Sequence, residues 1–374
     1  MLKKIIIIVF ITICLFSFFK INENNYLRHL EIKENLVNHP ENLPSKDIAK
    51  ATAFGFKNVR ADIYWMETIQ YIGSNVFHSE YKKYLFSILD LVTELNPYFE
   101  KPYIIGQLLL PSYQKEYEII DEKEQKGHTD EAIKIGLKGV TNFCDIEKIE
   151  LIDKENDLLK IWNADIYKNP CLSYKVPYYL AYIYFFYKND PINSAKYYKI
   201  SSANSDSVEG AKTMSAIMQG KGGNREKSFF MFLNLAKFIE PENEVCNLLG
   251  NELESIGVDG FLTKKLEIDG SLLKKIENIR KVAFANVEQK ELTDESKCTN
   301  YINKAIRELN LDYIERINDN FLKETGKNSF DAMELFNKGY LDYLPTDFQQ
   351  YDDMGIIYKF NPDTNHYDYD MGRY

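Results

Sequence analysis

Four aspartates near the C-terminus, Asp347, Asp352, Asp353 and Asp363, offer hard carboxylate oxygens, the donors that calcium takes six to eight at a time. Their spacing is not that of an EF-hand loop, so a calcium site competes with the plainer reading of a solvated acidic loop and no cofactor. The five histidines, His29, His39, His78, His128 and His366, are scattered, and neither H-E-x-x-H nor C-x-x-C occurs to build a zinc site. Gly220-Lys221-Gly222-Gly223-Asn224 has the glycines of a phosphate loop without the G-x-x-x-x-G-K-[ST] order, and reads better as a turn between helices. There is no G-x-S-x-G elbow. An enzyme reading therefore needs carboxylates assembled in space, such as Asp62, Glu67 and Glu94, in an α-rich envelope hydrolase. The other chemistry is recognition. Tyr64, Tyr103, Tyr179, Tyr182 and Phe186 stand in aromatic-rich segments, and large rings suit a groove for a peptide or protein as well as they suit a core.

What must position these residues is helix after helix. From about Asp47 apolar residues recur every three or four positions, and 18 glycines with 11 prolines leave few turns for a many-stranded sandwich or barrel. Residues 178–207 predict a helical hairpin turning at Lys188-Asn189-Asp190, with Asp190 as cap and Pro191 at the first helical position. Residues 113–144 predict a second, turning at Gly127-His128-Thr129, and residues 210–241 a third, turning at Gly222-Gly223-Asn224. Ala132, Ala195 and Ser228 hold the small-residue position of the second helix in these units. They lie 63 and 33 residues apart, near two periods and one period of a 34-residue repeat. Asn96-Pro97 and Glu240-Pro241 close earlier helices, and Ser329 is expected to cap a helix ending before Gly339. Three further helices are predicted over 271–287, 293–309 and 311–325.

These units resemble the tetratricopeptide repeat (TPR) family, in its membrane-anchored bacterial form. Gly73 and Pro97 have the 24-residue separation of that family's first-helix glycine and closing proline. The repeats are degenerate: Ile120 and Ile183 replace the glycine in later units, and Lys199 replaces a large apolar residue. The segment from Leu344-Pro345-Thr346-Asp347-Phe348 through Tyr351 is similar to the P-x-D-P-F/W-G-x-Y end of some secretion pseudopilins and anchored TPR proteins, without their glycine and second proline. The resemblance implies a superhelical stack of α-hairpins whose concave side binds a peptide or protein; an irregular α-bundle is the alternative. Its functional implication is a non-enzymatic adaptor in an extracytoplasmic envelope complex, in a narrower version related to secretion or pili.

Placement follows from the first residues. Lys3 and Lys4 precede fifteen uncharged residues, Ile5 to Phe19, and Lys20 closes them. Fifteen helical residues cover ~22 Å, between a signal-peptide core and a full span. With no small-residue cleavage site after the core, an uncleaved anchor is expected, leaving the large C-terminal part outside the cytoplasmic membrane. Ile11-Thr12-Ile13-Cys14 resembles a lipoprotein box but lacks its small residue before the cysteine. An oxidising compartment permits disulfides among Cys144, Cys171, Cys246 and Cys298, in any of three pairings, and buried free thiols are equally compatible. A net charge of −10 is the wrong sign for gripping nucleic acid. The expected organisation is all-α: a membrane helix over 1–21, a linker over 22–46, TPR-like repeats over 47–256, a helical cap over 257–339 and an acidic tail over 340–374. Seven of the tail's residues are aspartate, and Asn361-Pro362-Asp363-Thr364-Asn365 predicts the turn of a small β-hairpin.

Overall fold

Capping residues and apolar stripes dictate helix along most of the chain, and helix dominates the computed structural model, which describes residues 11–25, 27–28, 40–75, 81–112, 121–283, 298–349 and 355–372. The chain divides into two units, Met1–Ile135 and Gly136–Tyr374. In the first, α1 (residues 11–25) leaves its large apolar side chains exposed. No helix among the described residues is long and apolar enough to cross a membrane, and the first ten residues of the expected anchor lie outside those described. Ser45 caps α2 (Lys46–Ala51) by accepting from Ile48 N. There follow α3 (Lys57–Ser74), α4 (Lys82–Leu95) and α5 (Glu100–Leu109). Ala61, Tyr64, Trp65, Thr68 and Tyr71 form a buried stripe on α3 at helical spacing, and the apolar side of α4 is buried likewise. The α4 helix ends at Asn96-Pro97 as expected.

One continuous helix, α6 (Glu122–Phe143), replaces the hairpin expected over 113–144, of which residues 113–120 lie outside the described set. The tripeptide Gly127-His128-Thr129 does not turn the chain. Thr129 Oγ1 bonds back to Gln125 O at 2.9 Å and His128 Nδ1 lies 3.2 Å from Glu131, contacts of an unbroken helix that absorbs one glycine at a cost of about 1 kcal/mol.

In the second unit, Asp145 and Asp157 cap α7 (Ile146–Lys154) and α8 (Leu158–Asn163). Two α-hairpins then pack in series: α9 (Lys175–Phe186) with α10 (Pro191–Ser202), and α11 (Glu209–Lys221) with α12 (Arg225–Ile239). The turns fall at Asp190-Pro191 and Gly222-Gly223-Asn224, as the sequence predicts. A ladder of small residues joins the four helices. Ser194 Oγ donates to Ala181 O at 2.8 Å, Ser215 Oγ to Ala195 O at 3.2 Å, and Ser228 Oγ to Ala216 O at 2.9 Å. All six residues are sealed from solvent, so each backbone approaches the next closely and every hydroxyl is satisfied. This series is compatible with a helical repeat.

Asn243 caps α13 (Glu244–Gly257), and α14 (Gly270–Ala283) follows a short π-helical turn at Val258–Leu262. The two helices predicted over 293–309 and 311–325 are one, α15 (Cys298–Thr325). Asn310 does not break it, because its amide donates to Tyr358 Oη at 3.0 Å, with which it is buried, and to Thr346 O at 3.2 Å. The short α16 (Ala332–Asn337) is capped by Asp331, not Ser329; Ser329 is buried and donates through N and Oγ to Asn318 Oδ1, each at 2.9 Å. A two-stranded antiparallel hairpin ends the fold. Its strands β1 (Gly355–Asn361) and β2 (His366–Gly372) pair from Gly355↔Gly372 to Asn361↔His366. The hairpin packs on the helices: β2 on α15 and α11, and β1 on α16. Disulfides Cys144–Cys171 and Cys246–Cys298 settle which of the three pairings forms.

Candidate functional site

A cleft of about 230 Å³ opens where the α9–α10 turn faces the tip of the β-hairpin. Phe185 and Phe186 end α9, and Asn189 adopts a left-handed φ of 52° that lets Asp190 cap α10 by accepting from Asn193 N at 3.0 Å. The helix is so rich in aromatics that its core cannot take them all, and Phe186 is left outward. From the opposite side Asn361, Asp363 and Thr364 enter on the hairpin turn, which Asn361 Oδ1 holds by accepting from Asp363 N at 3.0 Å. Lys221 and Asp368 form an ion pair at the base, with the Lys221 ammonium 5.2 Å from the centre of the Tyr369 ring. The lining offers two aromatic faces, side-chain amides, a hydroxyl and an exposed carboxylate. Such a set can hydrogen-bond a peptide backbone and seat an apolar side chain.

Behind the cleft a buried polar junction fixes the hairpin to the helices. Arg225 donates to Glu308 at 3.2 Å, to Glu315 at 2.8 Å, and to the Tyr367 carbonyl in β2. Glu315 also accepts from Tyr367 N at 2.9 Å and lies 3.4 Å from His366 Nδ1. Burial raises the Glu308 carboxyl against the pull of Arg225. For Glu315 burial pushes the same way, but contacts with His366 and Arg225 win and its pKa falls. Arg307 binds Asp347 and lies 3.9 Å from the centre of the Tyr369 ring. Between Arg225, Arg307, Glu308 and Tyr369 remains a cavity of about 10 Å³, room for about one water.

The first unit has its own cleft, of about 300 Å³, lined by Phe56, Val59, Ile63 and Tyr64 among others. Arg60 closes one side, donating to Thr52 O at 3.0 Å and to Tyr64 Oη at 3.0 Å.

Of the five aromatics expected to line a groove, Tyr64 and Tyr103 belong to the first unit and Tyr179, Tyr182 and Phe186 to the second. Tyr64 borders the first unit's cleft, while Tyr103 is fully buried and donates to Pro97 O at 3.0 Å, so it is a core residue. Tyr179 and Tyr182 are half-buried in ring contacts with Tyr178 and Phe186, and Phe186 alone of the five lines the second unit's cleft. Of the four aspartates of the calcium reading, two lie among the described residues. Asp347 is buried, with both oxygens taken by Arg307, Tyr358 and the Gln349 amide; Asp363 is exposed at the hairpin tip, and Asp352 and Asp353 lie outside the described residues. Among the described residues, one group gathers three metal-type donors, Glu240 with Cys246 and Cys298, and its two sulfurs are bonded to each other.

Of the carboxylates in the enzyme reading, Asp62 and Glu67 lie on α3 and Glu94 on α4. Asp62 is exposed and Glu67 buried, five residues or about 140° apart around α3, and Glu94 is paired with Lys50. His128 lies within α6 and His366 beside Glu315, whereas His29, His39 and His78 fall outside the described residues. Sequence reading passed over Arg225, Arg307 and Glu308. Their signal is charge at core positions, as in the buried run Ala305-Ile306-Arg307-Glu308-Leu309. No family model matches the chain, and neither a curated protein nor a solved structure matches it.

Proposed function

We propose that the chain is a membrane-tethered, TPR-like adaptor that holds a peptide or protein segment of an envelope complex in the cleft between the α9–α10 turn and the β-hairpin. The observation that carries this reading is the composition of that cleft: one wall comes from the helical series, the other from the hairpin turn, and an exposed Phe186 sits beside amide and carboxylate groups. Two disulfides support an extracytoplasmic setting, since such bonds persist in oxidising compartments. The apolar N-terminal run supports the tether. The similarity of the tail to secretion pseudopilins supports the narrower setting of a secretion or pilus apparatus.

The test is photo-crosslinking in intact cells with a benzophenone analogue in place of Phe186, and a control analogue at the exposed Asp165. One discrete protein adduct at the first position and none at the second is expected. Equal patterns at both positions would remove the cleft as the binding surface.

A further inference from the structure

In the cleft between the α9–α10 turn and the hairpin tip, the charges are matched except for one. At its base Lys221 is bonded to Asp368, and the ammonium lies 5.2 Å from the centre of the Tyr369 ring and 6.0 Å from that of Phe185. On the helical wall both carboxylate oxygens of Asp190 are taken by Asn193, from N at 3.0 Å and from Nδ2 at 2.6 Å, and Lys188 on the same turn offsets its charge. On the hairpin Lys359 lies 3.3 Å from Asp370, and His366 lies beside Glu315. Asp363 is different. It lines the cleft from the exposed hairpin tip, and among the described residues no cation pairs with it.

The aromatic wall is likewise open. Phe186 meets Tyr182 and Phe185, with ring centres 4.3 and 4.7 Å away, yet is still 53% exposed. An apolar side chain seated in the cleft would cover that ring, but it would also take water from the Asp363 carboxylate and put nothing in its place. A cation suits both walls, because a ring face attracts it and a carboxylate neutralises it. Arginine suits them better than lysine: its guanidinium is flat and weakly hydrated, and it can stack on a ring while donating in its own plane. The cleft's size agrees. At about 230 Å³ it is smaller than the roughly 300–1,000 Å³ of sites that enclose a small molecule, and it has room for one long side chain.

We infer that the cleft selects an arginine side chain of the bound segment, whose guanidinium meets the Asp363 carboxylate and the Phe186 ring. This rests on the reading of the cleft as a peptide site and adds the chemistry by which it chooses. The Lys221–Asp368 pair stays intact beneath, so the only uncompensated charge is the one that faces the ligand.

The experiment uses the full chain in dodecyl maltoside micelles and three acetylated, amidated pentapeptide probes, alanine throughout except for arginine, leucine or glutamate at the centre. Nitrogen–proton NMR follows the amides of Asn189, Asp363 and Thr364. The arginine probe is expected to shift them with a Kd at least about five-fold below that of the leucine probe, and the glutamate probe to leave them in place. D363N should erase this preference and D363E keep it, while F186L should weaken the arginine probe about three-fold. Equal binding of the arginine and leucine probes, a preference that survives D363N, or an F186L variant as tight as wild type would overturn the inference and leave the cleft a peptide site. No shift from any probe would also overturn it, and the adaptor reading would then be decided by the Phe186 crosslink alone.

Discussion

The guanidinium of Arg307 grips both oxygens of Asp347, at 2.6 Å from Nε and 3.0 Å from Nη2, with both side chains sealed from solvent. Asp347 also accepts from Tyr358 Oη at 3.0 Å and from the Gln349 amide at 2.9 Å, so its lone pairs are committed. Removing either partner strands a charge.

R307M and D347N should therefore each lower unfolding free energy by about 3–5 kcal/mol, whereas the double variant should lose less than the sum. A double-mutant cycle by urea denaturation measures this coupling. Strictly additive losses would show that the two groups do not stabilise one another.

Lys199 is a buried lysine on α10. Its ammonium caps the end of α7, donating to Asp153 O at 3.0 Å and Glu155 O at 2.8 Å, and burial lowers its pKa to about 8. The unfolded chain keeps this proton up to the model-peptide value of 10.5, so between the two values the unfolded state binds more protons and stability rises with pH. From about pH 8 to pH 10.5 the group should contribute about 3 kcal/mol of rising stability. Wild type should gain on K199M over this range in denaturant midpoints; a constant gap would refute the assignment.

Gly223 turns α11 into α12 with a φ of 79°, and a Cβ there would stand 2.1 Å from Cε1 of His366. G223A is expected to cost about 2 kcal/mol or more from backbone and contact together. Because the displaced imidazole belongs to β2, hydrogen exchange should rise at the Tyr367 amide before it rises in α9. Unchanged protection in the hairpin would contradict the docking.

The disulfides close spans of 27 and 52 residues. Chain entropy gives about 3.5 and 4 kcal/mol for loops of these lengths, so C144S/C171S and C246S/C298S should each be strongly destabilising. Non-reducing peptide mapping of the native protein should recover Cys144 with Cys171 and Cys246 with Cys298; any other pairing would refute the assignment.

Local chemistry was readable in advance where a single side chain decides it. Asp190-Pro191 starts a helix, Gly222-Gly223-Asn224 turns one, and residues 361–365 turn a hairpin, each through its own dihedral or capping preference. Ala195 and Ser228 were readable as close-packing positions. What stayed hidden depends on distant partners. Asn310 looked like a break because nothing nearby in sequence reveals Tyr358 beneath it, and Gly127 looked like a turn although its neighbours sustain the helix. Asp347 looked like a metal ligand because its arginine lies 40 residues away. Tyr103 was hidden for a related reason: helical spacing places it on a face without saying that the face is covered.

The hairpin that completes the Arg225 and Arg307 network lies 142 residues beyond Arg225 at Tyr367. Without β2, Arg225 lacks the Tyr367 carbonyl and Arg307 lacks the Tyr369 ring, and their carboxylate partners Glu308, Glu315 and Asp347 remain. Chains truncated before Gly355 would carry that defect permanently and stay open to proteases. Burial of these arginines in the helical body is thereby coupled to docking of a segment far away in the chain.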